Sequence, residues 1–144
     1  MTQIEMLQQE FEQELAATRR TLERLDDQKW NWKPHPRSWS LGELANHLVN
    51  LLSWFEVTLG RDELDLSPSD ESPARPVGNN RQEILSLFDQ NARQAGQLLS
   101  QTREEHLWTP WKLLKGGQEL FTMPRILVLR RFVLNHLVHH RGQL

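Results

Sequence analysis

Apolar positions recur in steps of three and four through the start of the chain, at Ile4, Leu7, Phe11, Leu15, Thr18, Leu22 and Leu25. That period draws one stripe along an α-helix, and glutamates and glutamines fill the other faces. The stripe ends at Asp26-Asp27, and Pro34 and Pro36 break any continuation. A second helix is predicted from Ser40, because Glu43 three residues later completes a capping-box pattern. Leu41, Leu44, His47, Leu48, Leu51, Leu52, Phe55 and Leu59 mark its inner face, and Gly60 is its expected stop. A third helix is predicted from Asn79 or Asn80, striped by Ile84, Leu87, Phe88, Asn91, Ala95, Leu98 and Leu99. A fourth is predicted from about Thr122, with Pro124 in its first turn and Ile126, Leu129, Phe132, Val133, His136, Leu137 and His140 on one face. Residues 60–79 and 101–121, which hold prolines and Gly116-Gly117, read as irregular connections, and no strand alternation is read in them. Helices that each carry one apolar stripe must hide it on one another. The expected fold is therefore all-α, a four-helix bundle forming one domain over residues 1–144.

Histidines occupy positions on these stripes where leucines are expected. His47 lies between Leu44 and Leu48. His136 and His140 are spaced i, i+4 and project from one face of the fourth helix. Imidazoles turned toward a core are costly without a partner for their lone pairs, and a divalent metal is such a partner. His139, at i+3 from His136, competes for the same role; His140 is preferred because it lies nearer the centre of the stripe. His47 stands near the start of the second helix and the pair near the end of the fourth, so they reach one level if those helices run antiparallel. That requires a crossover between helices 2 and 3, which residues 60–79 are long enough to make. Three neutral nitrogens leave an ion with open positions and its full charge, which suits activation of bound water or a thiol. Zinc, nickel, iron, copper and manganese all accept imidazole. Glu43, one turn before His47, can orient that ring, although its capping-box position already gives it a role. His35 and His106 read as solvated loop residues.

Composition narrows the function classes. The 144 residues contain no cysteine, which removes disulfides, thiolate metal sites and a cysteine nucleophile. Lys+Arg is 17 against Asp+Glu 19, a net charge of −2, so neither nucleic acid nor an anionic membrane is expected as a partner. Met1-Thr2-Gln3-Ile4-Glu5 lacks a basic region followed by an apolar run, and no stretch approaches the ~20 apolar residues of a membrane span. A soluble, cytoplasmic protein is expected. Tyrosine is absent while tryptophan occurs six times. Trp30, Trp32 and Trp39, with Trp108 and Trp111, are expected to plug the ends of the bundle. Arg130, Arg131 and Arg141 read as solvated helix faces, any one of which can hold an anionic substrate group if it borders the site.

The segment Trp39-Ser40-Leu41-Gly42-Glu43-Leu44 leading to His47, with Asn135-His136-Leu137-Val138-His139-His140-Arg141-Gly142-Gln143-Leu144 at the end, resembles the DinB/YfiT-like proteins. The resemblance spans the chain in helix order. It implies an up-down-down-up four-helix bundle and a divalent transition metal held by His47, His136 and His140. It implies frequent homodimers, and small-molecule substrates with low-molecular-weight thiols among them. Members with assigned activities are thiol-dependent transferases or isomerases, or metal-dependent hydrolases. A metal-binding stress-response bundle without catalytic activity is the other expectation.

Overall fold

A computed structural model describes residues 1–67 and 75–144. The first helix, α1 (Gln3–Leu22), starts where Thr2 and Glu5 form a reciprocal capping box. The carboxylate of Glu104, from a short helix far along the chain, also accepts the Gln3 and Ile4 amides at 3.0 and 3.1 Å. A negative group on free N–H donors at a helix start is favourable, and it ties two distant segments together. Leu7, Phe11, Thr18 and Leu22 are buried, in agreement with the predicted stripe.

The predicted second helix is divided into α2 (Leu41–Leu51) and α3 (Trp54–Gly60). At the break the Ser53 hydroxyl donates to the Asn50 carbonyl at 2.6 Å, and the amides of Leu52 and Ser53 reach back only three residues. A serine that bonds its own backbone tightens and bends the turn. The third predicted helix is α4 (Arg81–Gln101), capped by Asn80. It runs antiparallel to α1, with Arg19 paired to Asp89 near one end and Gly96 over the Phe11 ring near the other. It runs alongside α2, where Asn91 Nδ2 donates to the Val49 carbonyl. The side chain of Asn46 donates to the Gly78 carbonyl and accepts from the Gly78 amide, both at 2.8 Å.

The expectation of an all-α four-helix bundle, up-down-down-up with a crossover between helices 2 and 3, does not hold. The fold is mixed, with a three-stranded sheet of order β1-β2-β3. The strands are β1 (Glu63–Asp65), β2 (Pro110–Lys115) and β3 (Gln118–Pro124); a short helix, α5 (Glu104–Leu107), precedes β2. β2 and β3 form an antiparallel hairpin, and β1 joins β2 in parallel. The hairpin turns on Gly116 and Gly117, whose φ angles are +60° and +78°. Two consecutive positive φ values are what a tight hairpin twisted with its strands requires, and glycine adopts them without strain. Trp111 and Leu113 point inward while their neighbours are more exposed, the alternation of a half-buried strand. The connection read as a plain crossover holds β1, and its residues 68–74 lie outside the described residues. Asp65 accepts the amides of Ser67, Gly116 and Gly117, each at 2.9 Å, so this connection is fastened to the hairpin turn. Those three donors hold the Asp65 carboxyl below its ordinary pKa.

The last helix starts later than predicted. Pro124 ends β3, and the helix runs through α6 (Arg125–Val128), a π-helical segment (Leu129–Leu134) and α7 (Asn135–Arg141). It lies beside α1 in the same direction, with Arg130 bound to Glu10 and Arg141 to Glu14, both at 2.6 Å. Its other flank faces α2. The main core joins Leu7 and Leu22 with Leu48, Phe55, Ile84, Leu99, Leu129 and Leu137. A smaller cluster of Trp111, Leu113 and Val128 seals the sheet against the helices. Among the described residues no helix is long and apolar enough to cross a membrane.

Arg125 joins these parts. Its side chain is only 2% exposed. Nε donates to the Thr58 carbonyl at 2.8 Å, Nη1 to Thr109 Oγ1 and the Pro110 carbonyl, and Nη2 to the Arg61 carbonyl and Asp62. The end of α3, the start of β2 and the start of the last helix thus share one guanidinium. Arg125→Met leaves three carbonyls without this donor, and a buried acceptor left unpaired costs about 1–3 kcal/mol. Urea unfolding is expected to show a loss of about 2–3 kcal/mol, with the hairpin amides losing hydrogen-exchange protection first.

Gly42 is a second sensitive point. An added Cβ would stand 2.3 Å from Trp30 Nε1, because the Trp30 ring lies across the first turn of α2. Gly42→Ala is expected to cost about 1–3 kcal/mol through overpacking, read as a melt several degrees lower.

Candidate metal centre

α2 presents His47 and α7 presents His136 and His140, and the structure brings all three side chains together. One ring nitrogen from each lies within 4.8 Å of the other two. His136 Nε2 is 2.8 Å from His140 Nε2 and 3.3 Å from His47 Nε2. Two imidazole nitrogens on one ion at ~2.1 Å stand roughly 3.0–3.4 Å apart for right-angled to tetrahedral geometry. The observed spacing is therefore close to that of a shared ion.

The outer nitrogens set the tautomers. His136 Nδ1 lies 3.3 Å from the Phe132 carbonyl and His140 Nδ1 lies 2.7 Å from Gln143 Oε1. A carbonyl oxygen only accepts, so each Nδ1 carries the proton and donates. In the neutral rings both Nε2 atoms are then bare, and at 2.8 Å their lone pairs repel unless a cation stands between them. Burial lowers the pKa of His47 to about 4, with smaller contributions from His140, His136 and Arg75. Burial and the charge of His140 also lower that of His136, against the pull of the Phe132 carbonyl. Both shifts favour the unprotonated ring, the form that binds a metal. The donor set fits a divalent transition ion.

The sequence pattern did not reveal how the pair is aimed. Asn135 N–H donates to the Arg130 carbonyl five residues back, a π-type bond. One extra residue in the turn rotates the remainder of the helix by about 100° relative to an unbroken α-helix. The same segment supplies the Phe132 carbonyl that orients His136. Gln143, at i+3 from His140, is a second supporting group missed from the sequence, although its spacing was readable. Glu43 does not orient His47: it accepts the Ser40 amide at 2.7 Å as the capping residue.

His139 is exposed, its ring against that of His140 and its Nε2 3.5 Å from Gln143, and it is not a member of the cluster. His35 is exposed and accepts the Arg37 amide. His106 is less solvated than expected: it is half-buried and donates from Nε2 to the Leu59 carbonyl at 2.9 Å. Trp39 leans on the site, its ring centroid 4.7 Å from that of His47 and 5.4 Å from that of His140. A cleft of about 550 Å³ opens beside it, walled by Trp32, Trp39, Leu41 and Leu44 and bordered by His140.

The sequence profile of the DinB superfamily matches residues 10–144. The chain belongs to the DinB superfamily. A crystal structure of a DinB-like protein from Bacillus cereus ATCC 10987 is similar, with 25% identity and a TM-score of 0.67 over 90% of this chain and 80% of that one. No curated protein matches the chain. In this chain one histidine on α2 and two on the last helix are combined with a hairpin and a π-helical turn.

The tautomers are open to measurement. Long-range ¹H–¹⁵N spectra of the metal-free protein are expected to show the Nδ1–H form at His136 and His140. Added zinc is expected to move the Nε2 resonances of His47, His136 and His140 and leave those of His35 and His106 in place.

Proposed function

We propose that this DinB-superfamily chain is a metal-dependent enzyme acting on a small molecule. His47, His136 and His140 would hold one divalent transition ion, with zinc, nickel, iron and manganese as candidates. When bound, such an ion acts as a Lewis acid and lowers the pKa of a thiol or water at neutral pH. The products would be those of thiol transfer to, or hydrolysis of, a small electrophile. The supporting observation is the convergence of three Nε2 atoms, two of them with their protons donated outward. The chain's own residues do the rest. Phe132 and Gln143 hold the rings in the ligating tautomer. Among the described residues three protein donors meet, a number that suits an ion with positions left for substrate. Trp39 and the apolar wall of the cleft keep bulk water from one side.

A second reading gives the ion a structural role. It is favoured by the origin of the ligands on only two elements, since an ion between α2 and α7 would staple the last helix in place. A chelator separates the two readings. A structural ion at ~100 times its dissociation constant adds about 2.7 kcal/mol, which chelation removes. An ion in a preformed catalytic site leaves the melt nearly unchanged while turnover stops.

Metal analysis of protein purified without a nickel column is expected to find roughly one ion per chain, and far less in His136→Ala with the fold intact by circular dichroism. Equal metal content in the two proteins overturns the proposal.

A further inference from the structure

A second hollow of about 690 Å³ neighbours the cleft beside His140, and Trp32, Leu41 and Leu144 line both. The two hollows differ in charge. The first is mainly aromatic and apolar, with Arg37 as its one cationic side chain among the described residues, and it ends at His140 of the histidine cluster. The second is walled by Arg20, Arg24, Lys29 and Arg141, with Asp26 as its one acidic side chain among the described residues. Asp26 turns Oδ1 to the Gln28 amide, and Arg141 is engaged by Glu14 and Thr18. The neighbouring Glu23 is held by Arg19. Arg20, Arg24 and Lys29 are exposed and form no ion pair among the described residues. Arg130, Arg131 and Arg141 were the expected anion-holding arginines. Arg130 and Arg141 are bound by Glu10 and Glu14, and Arg131 lines neither hollow. The cations of the second hollow that form no ion pair among the described residues come from the end of α1 and the turn after it, and Arg37 is their single counterpart in the first.

Resting on the reading of the histidine end as the reacting end, we propose that this double cleft selects an amphipathic anion. The reacting group lies at His140, an apolar or aromatic body lies against Trp32 and Leu41, and a carboxylate or similar oxyanion lies against Arg20, Arg24 and Lys29. The guanidinium forks of the two arginines suit a planar oxyanion, and the half-exposed Trp32 suits a flat apolar body. The overall charge of −2 makes this local excess of positive charge a property of the cleft and not of the whole surface.

The test uses three probes with one apolar body: 4-phenylbutyrate, 4-phenylbutanol and 4-phenylbutylamine. Each is titrated at physiological ionic strength by tryptophan fluorescence and calorimetry into metal-loaded protein, metal-free protein and the R20Q/R24Q variant. The acid is expected to bind about tenfold more tightly than the alcohol in both metal states, and the amine most weakly. In R20Q/R24Q the preference for the acid is expected to vanish while the alcohol binds as before. Equal affinity for acid and alcohol, an undiminished preference in R20Q/R24Q, or no saturable binding of the acid overturns the proposal. A preference present only with metal also overturns it, because the ion and not the basic wall then holds the carboxylate. The metal-free arm reads the basic wall alone, so its outcome is separate from the metal content of wild type and His136→Ala.

Discussion

Three imidazole nitrogens that meet between α2 and the last helix impose the strictest demand in this molecule. Nitrogens 2.8 and 3.3 Å apart tolerate little error in helix rotation or height. Much of the surrounding structure holds those two variables. The height of α2 is set by its Ser40–Glu43 capping box, by the Trp30 ring over Gly42 and by the two-way clasp of Asn46 on Gly78. The last helix is pinned to α1 near both ends, at Glu10 and Glu14. Its rotation passes through the π-helical turn, which is also the source of the carbonyl that fixes the His136 tautomer. The phase and the tautomer of His136 are thus set by the same few residues.

The sheet acts at the other end of that helix. Arg125 is the first residue after β3, and its guanidinium is saturated by groups from α3, its trailing loop and β2. Phe121 of β3 stacks on Phe132 of the π segment, with centroids 4.8 Å apart and planes 11° from parallel. The hairpin therefore holds the start and the wide turn of the helix whose end carries two of the clustered histidines. A fold made only of helices would leave that start to a loop. Buried hydrogen bonds to a planar cation give it a defined direction instead.

Around the histidines, chemistry is divided by surface. Aromatic and apolar groups dominate the nearer hollow, where Arg37 is the one cationic side chain among the described residues, and Arg20, Arg24 and Lys29 gather at the farther one. Groups set at a distance from the histidines can add a hydrogen bond or a charge to the binding of a ligand without crowding the cluster itself. The tryptophans share this work unequally. Trp111 is fully buried with Nε1 bonded to the Val57 carbonyl, whereas Trp32 and Trp39 stay near half exposed along the cleft.

The sequence by itself determined the amphipathic helices and the three histidines, because burial at a 3.6-residue period and an i, i+4 pair are local regularities. His47, His136 and His140 could be grouped before any coordinates, since imidazoles on apolar stripes lack partners there. The hairpin was readable in principle from Gly116-Gly117 between Trp111-Lys112-Leu113 and Phe121-Thr122-Met123, but the flanking prolines and glycines read equally well as a loop. Tertiary structure decided the rest. The parallel pairing of β1 with β2, the network around Arg125 and the wide turn before α7 depend on groups tens of residues apart. The basic wall likewise joins α1, the turn after it and the chain's last residues. Periodicity reports which face of an element is buried; it does not say which distant carbonyl, carboxylate or ring will meet that face.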